Sequence, residues 1–439
     1  GASMRRAMAA AAAIATLLGA CTGDGTGSPP SRSPSASGSG SPRPSVEVRT
    51  GDTSALEAME RLCAEVDVTS PPVRRRPTPT TIAEVESQVE AVRGLRFVRR
   101  VNAEPITPQE MDRRLARYLE TYYPKGYYAR RSLAWRTIGA LPRGIGYLEA
   151  LGRYQQGQVL GFYNSQNEEL VYTGDEQLTR IEQFILAHEL THAIDDQHFD
   201  LDRLDELSLT CDDERFQAAL GVVEGSANHF ATQVIFRFPI EEIGDIPGSG
   251  GGEGVPPMVQ DLQEYPYTDG LAFVDALADD GGSRAIDRAL RRFPTTTEEV
   301  LHPERFRKDP PTELDLPDFA PTFGDGWRDL DVMIVGELWL RTLLDTELPE
   351  GEASSAADGW DGGIYRAWTD GGDAAVILST AWDTAIEAAG FREAIGTWAR
   401  GRADRVVIGG RDTAVTVGFG SSPVLLPALD AIVRNLLHA

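Results

Sequence analysis

Leu186-Ala187-His188-Glu189-Leu190-Thr191-His192-Ala193-Ile194-Asp195-Asp196-Gln197-His198 is the stretch that decides how this chain is read. Residues four apart on an α-helix differ by about 40° in rotation, so the imidazoles of His188 and His192 point the same way and can share one tetrahedral ion. Ile181, Phe184, Ile185 and Ile194 recur at helical spacing around them and predict a helix from about Thr179 to Gln197. Glu189 stands beside the pair, where a carboxylate can take the proton of a metal-held water as that water attacks a carbonyl. Zinc suits two imidazoles best and brings the pKa of such a water to near 7. The competing reading is two incidental histidines on a solvated helix face; with only 6 histidines in the chain, it is the weaker one.

One zinc ion needs a further protein ligand, and two residues compete for the place. His198 follows His192 by six residues, the metzincin spacing HExxHxxGxxH, but Asp195 occupies the glycine position. Glycine there lets the chain turn sharply and bring the last histidine back. If the helix continues instead, His198 lies about 120° round from His192 and cannot reach the ion. Glu224, in Val222-Val223-Glu224-Gly225-Ser226-Ala227, falls on the next predicted helix, about Asp213 to Phe236. It sits beside the apolar stripe formed by Phe216, Leu220, Val223, Ala227, Phe230 and Val234. A carboxylate from a second packed helix is the gluzincin arrangement, and Gly225 and Ala227 would permit close helix approach. Glu224 is the preferred third ligand; His198 is its rival, or else a capping or structural histidine.

Outward from the motif, the ends of the chain read differently. Arg5-Arg6, the apolar run Ala7–Ala20 and Leu18-Gly19-Ala20-Cys21 form a secretory leader with a lipobox-like end, too short to span a bilayer. Cys21 is then expected to carry lipid, which places the protein outside the cytoplasmic membrane, held by that anchor. Gly1-Ala2-Ser3 ahead of Met4 read as a cloning remnant. Residues 21–50, rich in Gly, Ser and Pro, form a flexible tether. With Cys21 assigned, Cys63 and Cys211 remain, and in an oxidising compartment they are expected to form a disulfide. Residues 1–150 hold 21 basic and 15 acidic side chains, so a body of net −31 follows, for −25 overall. A strongly acidic body argues against nucleic acid as a partner.

Beyond the tether, 51–150 reads as a helical N-terminal subdomain, with Thr107-Pro108 as a helix start. Residues 151–310 hold the catalytic core and 311–439 a C-terminal α+β lobe. Gln158–Tyr163 and Leu170–Thr173 form a hairpin beside the motif helix, an edge along which a peptide backbone can lie extended. Residues 245–257 read as a Gly-rich loop; a helix is expected near Met333–Leu344, a hairpin near Tyr365–Trp382 and a helix at Ala385–Ala399, with another hairpin and helix to the end.

Several other side chains could contribute to the chemistry. His302, between a Thr-rich turn and Pro303, could donate to an oxyanion or be structural. Asp196, four residues after His192 on the same face, could orient that ligand or be solvated. Tyr163 could line the cleft, His229 reads as packed or exposed, and Met258 as core filler rather than a Met-turn.

Gly161-Phe162-Tyr163, the segment 186–200, Val223-Glu224-Gly225-Ser226-Ala227, Thr296-Thr297-Glu298-Glu299-Val300-Leu301-His302-Pro303-Glu304, Gly359-Trp360-Asp361-Gly362-Gly363 and Trp382-Asp383 together resemble a largely uncharacterised family of bacterial exported zinc metallopeptidases. The resemblance covers most of 80–400. It implies a zincin-like α+β fold, mostly helical with a small mixed sheet beside the HExxH helix. It also implies His188, His192 and Glu224 as zinc ligands, Glu189 as general base, and a peptide or protein substrate. Two other readings stand beside it. One is a surface binding or assembly protein that keeps the fold without turnover; the other is a zinc hydrolase of another amide, such as a cell-wall bond.

Overall fold

In the computed structural model, residues 46–63, 73–156, 159–174, 178–239 and 254–438 are described. The leader, Cys21 and the tether up to residue 45 lie outside them, as does the loop over 245–253. Local capping sets many of the helix starts. Helix α1 (Ala55–Leu62) begins at a reciprocal Ser54–Glu57 box, and α2 (Thr80–Arg93) ends on Gly94 in the left-handed conformation that glycine tolerates. After strand β1 (Asn102–Pro105), Thr107 accepts from the Glu110 backbone N–H and Pro108 opens α3 (Pro108–Tyr122). Two further helices, α4 (Tyr127–Ile138) and α5 (Tyr147–Gln155), lead to strands β2 (Gly161–Asn164) and β3 (Glu169–Tyr172). The motif helix α6 (Arg180–Phe199) starts at a Thr179–Glu182 capping box. Beyond it run α7 (Arg203–Leu209), α8 (Asp213–Arg237), α9 (Pro257–Gly281), α10 (Ser283–Arg291) and α11 (Thr297–Leu301). The remainder is α12 (Ala320–Phe323), β4 (Arg328–Ile334), α13 (Glu337–Asp345), α14 (Glu350–Ala357), β5 (Trp360–Thr369), β6 (Ala374–Trp382), α15 (Ala385–Trp398), β7 (Val406–Arg411), β8 (Ala414–Gly420) and α16 (Leu426–Leu436).

The protein is thus of mixed α+β class, with two sheets among the described residues. In the small one, ordered β1-β3-β2, β1 runs parallel to β3 and β2 antiparallel to it, so β2 is an outer strand. The larger sheet, β4-β5-β6-β8-β7, is antiparallel throughout. One hydrophobic core runs through all three stretches distinguished in the sequence, from Tyr127 and Trp135 through Val222 and Phe273 to Tyr365 and Trp398. A second packs α2 and the small sheet on α6 through Val85, Tyr163, Leu170, Phe184 and Leu190. Even α1 belongs to the far end of the chain: Ala55 and Ala58 pack with Phe319 and Trp368 against the large sheet.

Several expectations change. Met333 and Ile334 lie in β4, and the helix begins only at Glu337, because the β-favouring run Val332–Val335 pairs with β5 before Gly336 releases the chain. Strand β1, Asn-Ala-Glu-Pro, has no alternating apolar pattern of its own and owes its form to parallel pairing with β3. Helix α9 runs through Pro266 and Gly270, two residues that ordinarily argue against a helix interior. Gly270 is required there, since a Cβ on it would come within 2.4 Å of the Gly221 carbonyl oxygen on α8. Gly225 likewise faces α9, where a Cβ would meet the Gly270 carbonyl oxygen at 2.3 Å; the close approach read for it towards the motif helix is made to a different neighbour.

Cys63 and Cys211 form a disulfide that ties the end of α1 to the start of α8 across 148 residues. Closing so long a loop removes unfolded-state entropy worth about 4–5 kcal/mol. Replacing both cysteines by serine is expected to lower the urea midpoint accordingly, and an unchanged midpoint would mean the crosslink contributes nothing.

The register between α6 and α8 depends on a buried ion-pair network. Arg93 of α2, fully buried, donates to Asp195 Oδ1 and Asp287 Oδ1, both at 2.7 Å, and stacks over the Phe230 ring. Burial opposes the charge on Arg93, but the two carboxylates outweigh it and raise its pKa. The other Asp195 oxygen accepts from Ser226 Oγ of α8 at 2.8 Å. Arg93→Met is expected to cost about 3–5 kcal/mol, because it strands two carboxylates at least one of which is buried; chemical denaturation measures it.

Candidate metal centre

Helix α6 continues without a break to Phe199, and Asp195 is spent on Arg93 and Ser226 instead of turning the chain. His198 therefore stays on the helix surface, where its Nε2 donates to the Arg96 carbonyl at 2.8 Å. The three donors that do converge are His188, His192 and Glu224. Nε2 of His188 lies 3.0 Å from Glu224 Oε2 and 3.0 Å from His192 Nε2, and His192 Nε2 lies 3.4 Å from the same carboxylate oxygen.

This triangle fits a zinc ion. Ligand atoms about 2.1 Å from a tetrahedral centre stand roughly 3.4 Å apart, close to the separations here. The back of the group is ordered as well. His188 Nδ1 faces Asn228 Oδ1 at 3.0 Å, and an amide oxygen only accepts, so Nδ1 carries the proton and Nε2 presents its lone pair to the centre. Burial opposes charge on His192, but Glu224 holds its pKa up at about 9. For Glu224, burial would raise the carboxyl, and the two imidazoles reverse this and hold it well below the usual range.

Glu189, also buried, accepts from the Tyr163 backbone N–H at 2.9 Å. Its aliphatic stem lies against Gly161, where a Cβ would come within 2.9 Å of Glu189 Cγ. Strand β2 thus touches the motif helix closely, and one of its outward N–H groups aims the carboxylate. The Tyr163 hydroxyl, in turn, donates to Asp196 Oδ2 at 2.8 Å, and the Leu201 N–H donates to Asp196 Oδ1. Asp196 is therefore a fastener between β2, α6 and the turn after it; its bonds go to these groups and not to His192. Burial raises its pKa to about 6 against those two donors.

His302 stands elsewhere. Its ring contacts Glu337, Glu304 and Asp358, none of them in the His–His–Glu group, so the oxyanion role read for it has no contact to support it. His229 pairs with Asp275, and Met258 is buried in the first turn of α9, where it packs as core. Two residues of the centre had not been singled out. Asn228 lies one turn after Glu224, and that spacing on one helix face was readable. Tyr267 of α9 lies 6.2 Å from His188 between ring centroids, and burial, then the charges of Glu224 and Glu189, raise its phenol pKa. No local pattern announced it, because the stretch around Pro266 does not read as a helix.

Fold and centre together define a mixed α+β protein with a three-donor group suited to a divalent metal ion. Comparison with known proteins adds the following. A family described as a domain of unknown function (DUF8575) matches residues 328–422, outside the stretch that carries the group. No curated protein matches. A solved chain from Chloroflexus aurantiacus, described as "a putative hydrolase with a novel fold", is similar at 19% identity and a TM-score of 0.34, over 57% of this chain and 95% of that one. Among the described residues, no helix is long and apolar enough to cross a membrane.

Proposed function

We propose that the protein is a zinc-dependent peptidase of gluzincin-like design, and that the convergence of His188, His192 and Glu224 beside Glu189 carries this reading. Zinc held by the three donors would supply a water with a pKa near 7 and a Lewis acid for the scissile carbonyl oxygen. Glu189, held by the Tyr163 N–H through one oxygen, keeps the other free to take a proton and pass it to the leaving amine. Tyr267, whose ring centroid lies 6.2 Å from that of His188, is the uncharged O–H donor of this reading, in the oxyanion part that the sequence offered to His302 as one of two roles. The outer edge of β2 would hold an extended substrate backbone, with the Tyr163 N–H already spent on Glu189. An exported protein anchored through lipid on Cys21 remains part of the proposal.

The test is cleavage of a peptide library by purified protein, before and after chelation and after readdition of zinc. Cleavage lost with chelation and restored by zinc supports the reading. A protein that binds zinc stoichiometrically and cuts no peptide would instead be a binding protein or a hydrolase of another bond.

A further inference from the structure

Apart from the His188 centre, His302, Glu337 and Asp358 converge from three separate elements. His302 caps the C-terminus of α11, Glu337 is the first residue of α13, and Asp358 caps the C-terminus of α14. His302 Nε2 lies 3.0 Å from Glu337 Oε1 and 3.7 Å from Asp358 Oδ1. One donor atom from each falls within 4.8 Å of the other two. These separations bracket the roughly 3.4 Å between ligands of a tetrahedral ion.

A second observation distinguishes this cluster from an ordinary acidic surface. Glu337 is only 3% exposed, yet its second carboxylate oxygen, Oε2, has no hydrogen-bond partner among the described residues. A buried carboxylate oxygen left without a donor is costly, and it belongs to the same carboxylate that faces His302. The neighbouring cations do not satisfy it: Arg305 is spent on Glu298 at 2.6 Å and Asp358 at 2.9 Å, and Arg341, one turn along α13, on Asp269 at 2.6 Å. Glu298, Glu337 and Asp358, with Glu304 3.9 Å from His302 Nδ1, therefore outnumber the guanidinium of Arg305 and the imidazole of His302.

We infer that His302, Glu337 and Asp358 form a second divalent-cation site, of the mixed imidazole–carboxylate type that zinc and its neighbours favour. Glu337 and His302 form its buried side, and Asp358, whose side chain is 51% exposed, leaves one side open to solvent. Because its ligands stand at two helix C-termini, positions 302 and 358, and one helix start, position 337, the ion fastens α11 to the 328–422 region. Its part is that of a clamp between elements, and it does not depend on peptidase activity.

The experiment uses His188→Ala/His192→Ala, which removes the first centre and leaves the second untouched. The metal-stripped variant is titrated with Zn2+ in equilibrium dialysis with elemental analysis, with circular dichroism to verify folding. One ion per chain and a higher melting temperature with Zn2+ are expected. Adding Asp358→Asn, at a half-exposed position, is expected to weaken that binding at least about 10-fold, and His302→Gln to do the same, with circular dichroism verifying the fold of each. A folded double variant that binds no Zn2+, or one whose binding ignores both added substitutions, overturns the inference. The two centres separate cleanly: two ions in the wild type and one in the double variant support both. One ion in each supports the second centre and sinks the first; one and none does the reverse.

Discussion

Glu189→Gln is expected to keep its metal and lose its hydrolytic activity. The substituted side chain can still accept from the Tyr163 N–H through its amide oxygen, so the contact seen at 2.9 Å survives, and the three donors of the centre are unaltered. What disappears is the group that accepts a proton during attack. General-base catalysis of this kind is worth about 10²–10⁴-fold, so kcat should fall by about 10³ with zinc stoichiometry unchanged. The checks are elemental analysis and a peptide-cleavage assay on one preparation. If the variant turns over substrate like the wild type, Glu189 is not the base and the peptidase reading falls with it.

Glu224→Gln should have the opposite pattern: loss of metal first, and of activity only as a consequence. Glu224 Oε2 is the atom common to both imidazoles, at 3.0 Å and 3.4 Å, and a neutral amide there supplies neither the charge nor the geometry of a carboxylate ligand. Zinc affinity is expected to fall by more than about 100-fold, beyond what loss of a supporting contact costs. His198→Ala is the matched control and should leave affinity alone, since its ring is occupied with the Arg96 carbonyl on the helix surface. Retained zinc in Glu224→Gln with lost zinc in His198→Ala would restore the metzincin alternative. Excess zinc should partly recover activity in Glu224→Gln but not in Glu189→Gln, which distinguishes a binding defect from a chemical one.

The physical reason that Glu224 and not His198 joins the centre lies in Asp195. From the sequence, an aspartate in the place of glycine weighs against a sharp turn without deciding it. In the structure Asp195 is buried between Arg93 and Ser226, so the helix is held straight by partners 102 residues before it and 31 residues after it. The same contact brings α8 against α6, with Glu224 two residues before Ser226 and therefore close to the histidines. A substitution at Arg93, remote in sequence from His188, His192 and Glu224, thus bears on their geometry as well as on stability.

What the sequence by itself determined is everything encoded within a turn or two of helix. The i, i+4 spacing of His188 and His192, the position of Glu189 between them, the Thr179–Glu182 and Thr107–Pro108 helix starts, and the amphipathic stripe that places Glu224 on a second helix follow from periodicity and capping chemistry. Pairing of Cys63 with Cys211 followed from counting cysteines. Only the tertiary structure decided what depends on contact between distant segments. Strand β1 exists because β3 pairs with it, α9 survives Pro266 because Gly270 lets it press against α8, and Asp196 serves Tyr163 and Leu201 in preference to His192. His302 was legible as a constrained, chemically capable residue. Its partners, Glu337 and Asp358, are 35 and 56 positions away, and only the packing of three helix ends brings them to its ring.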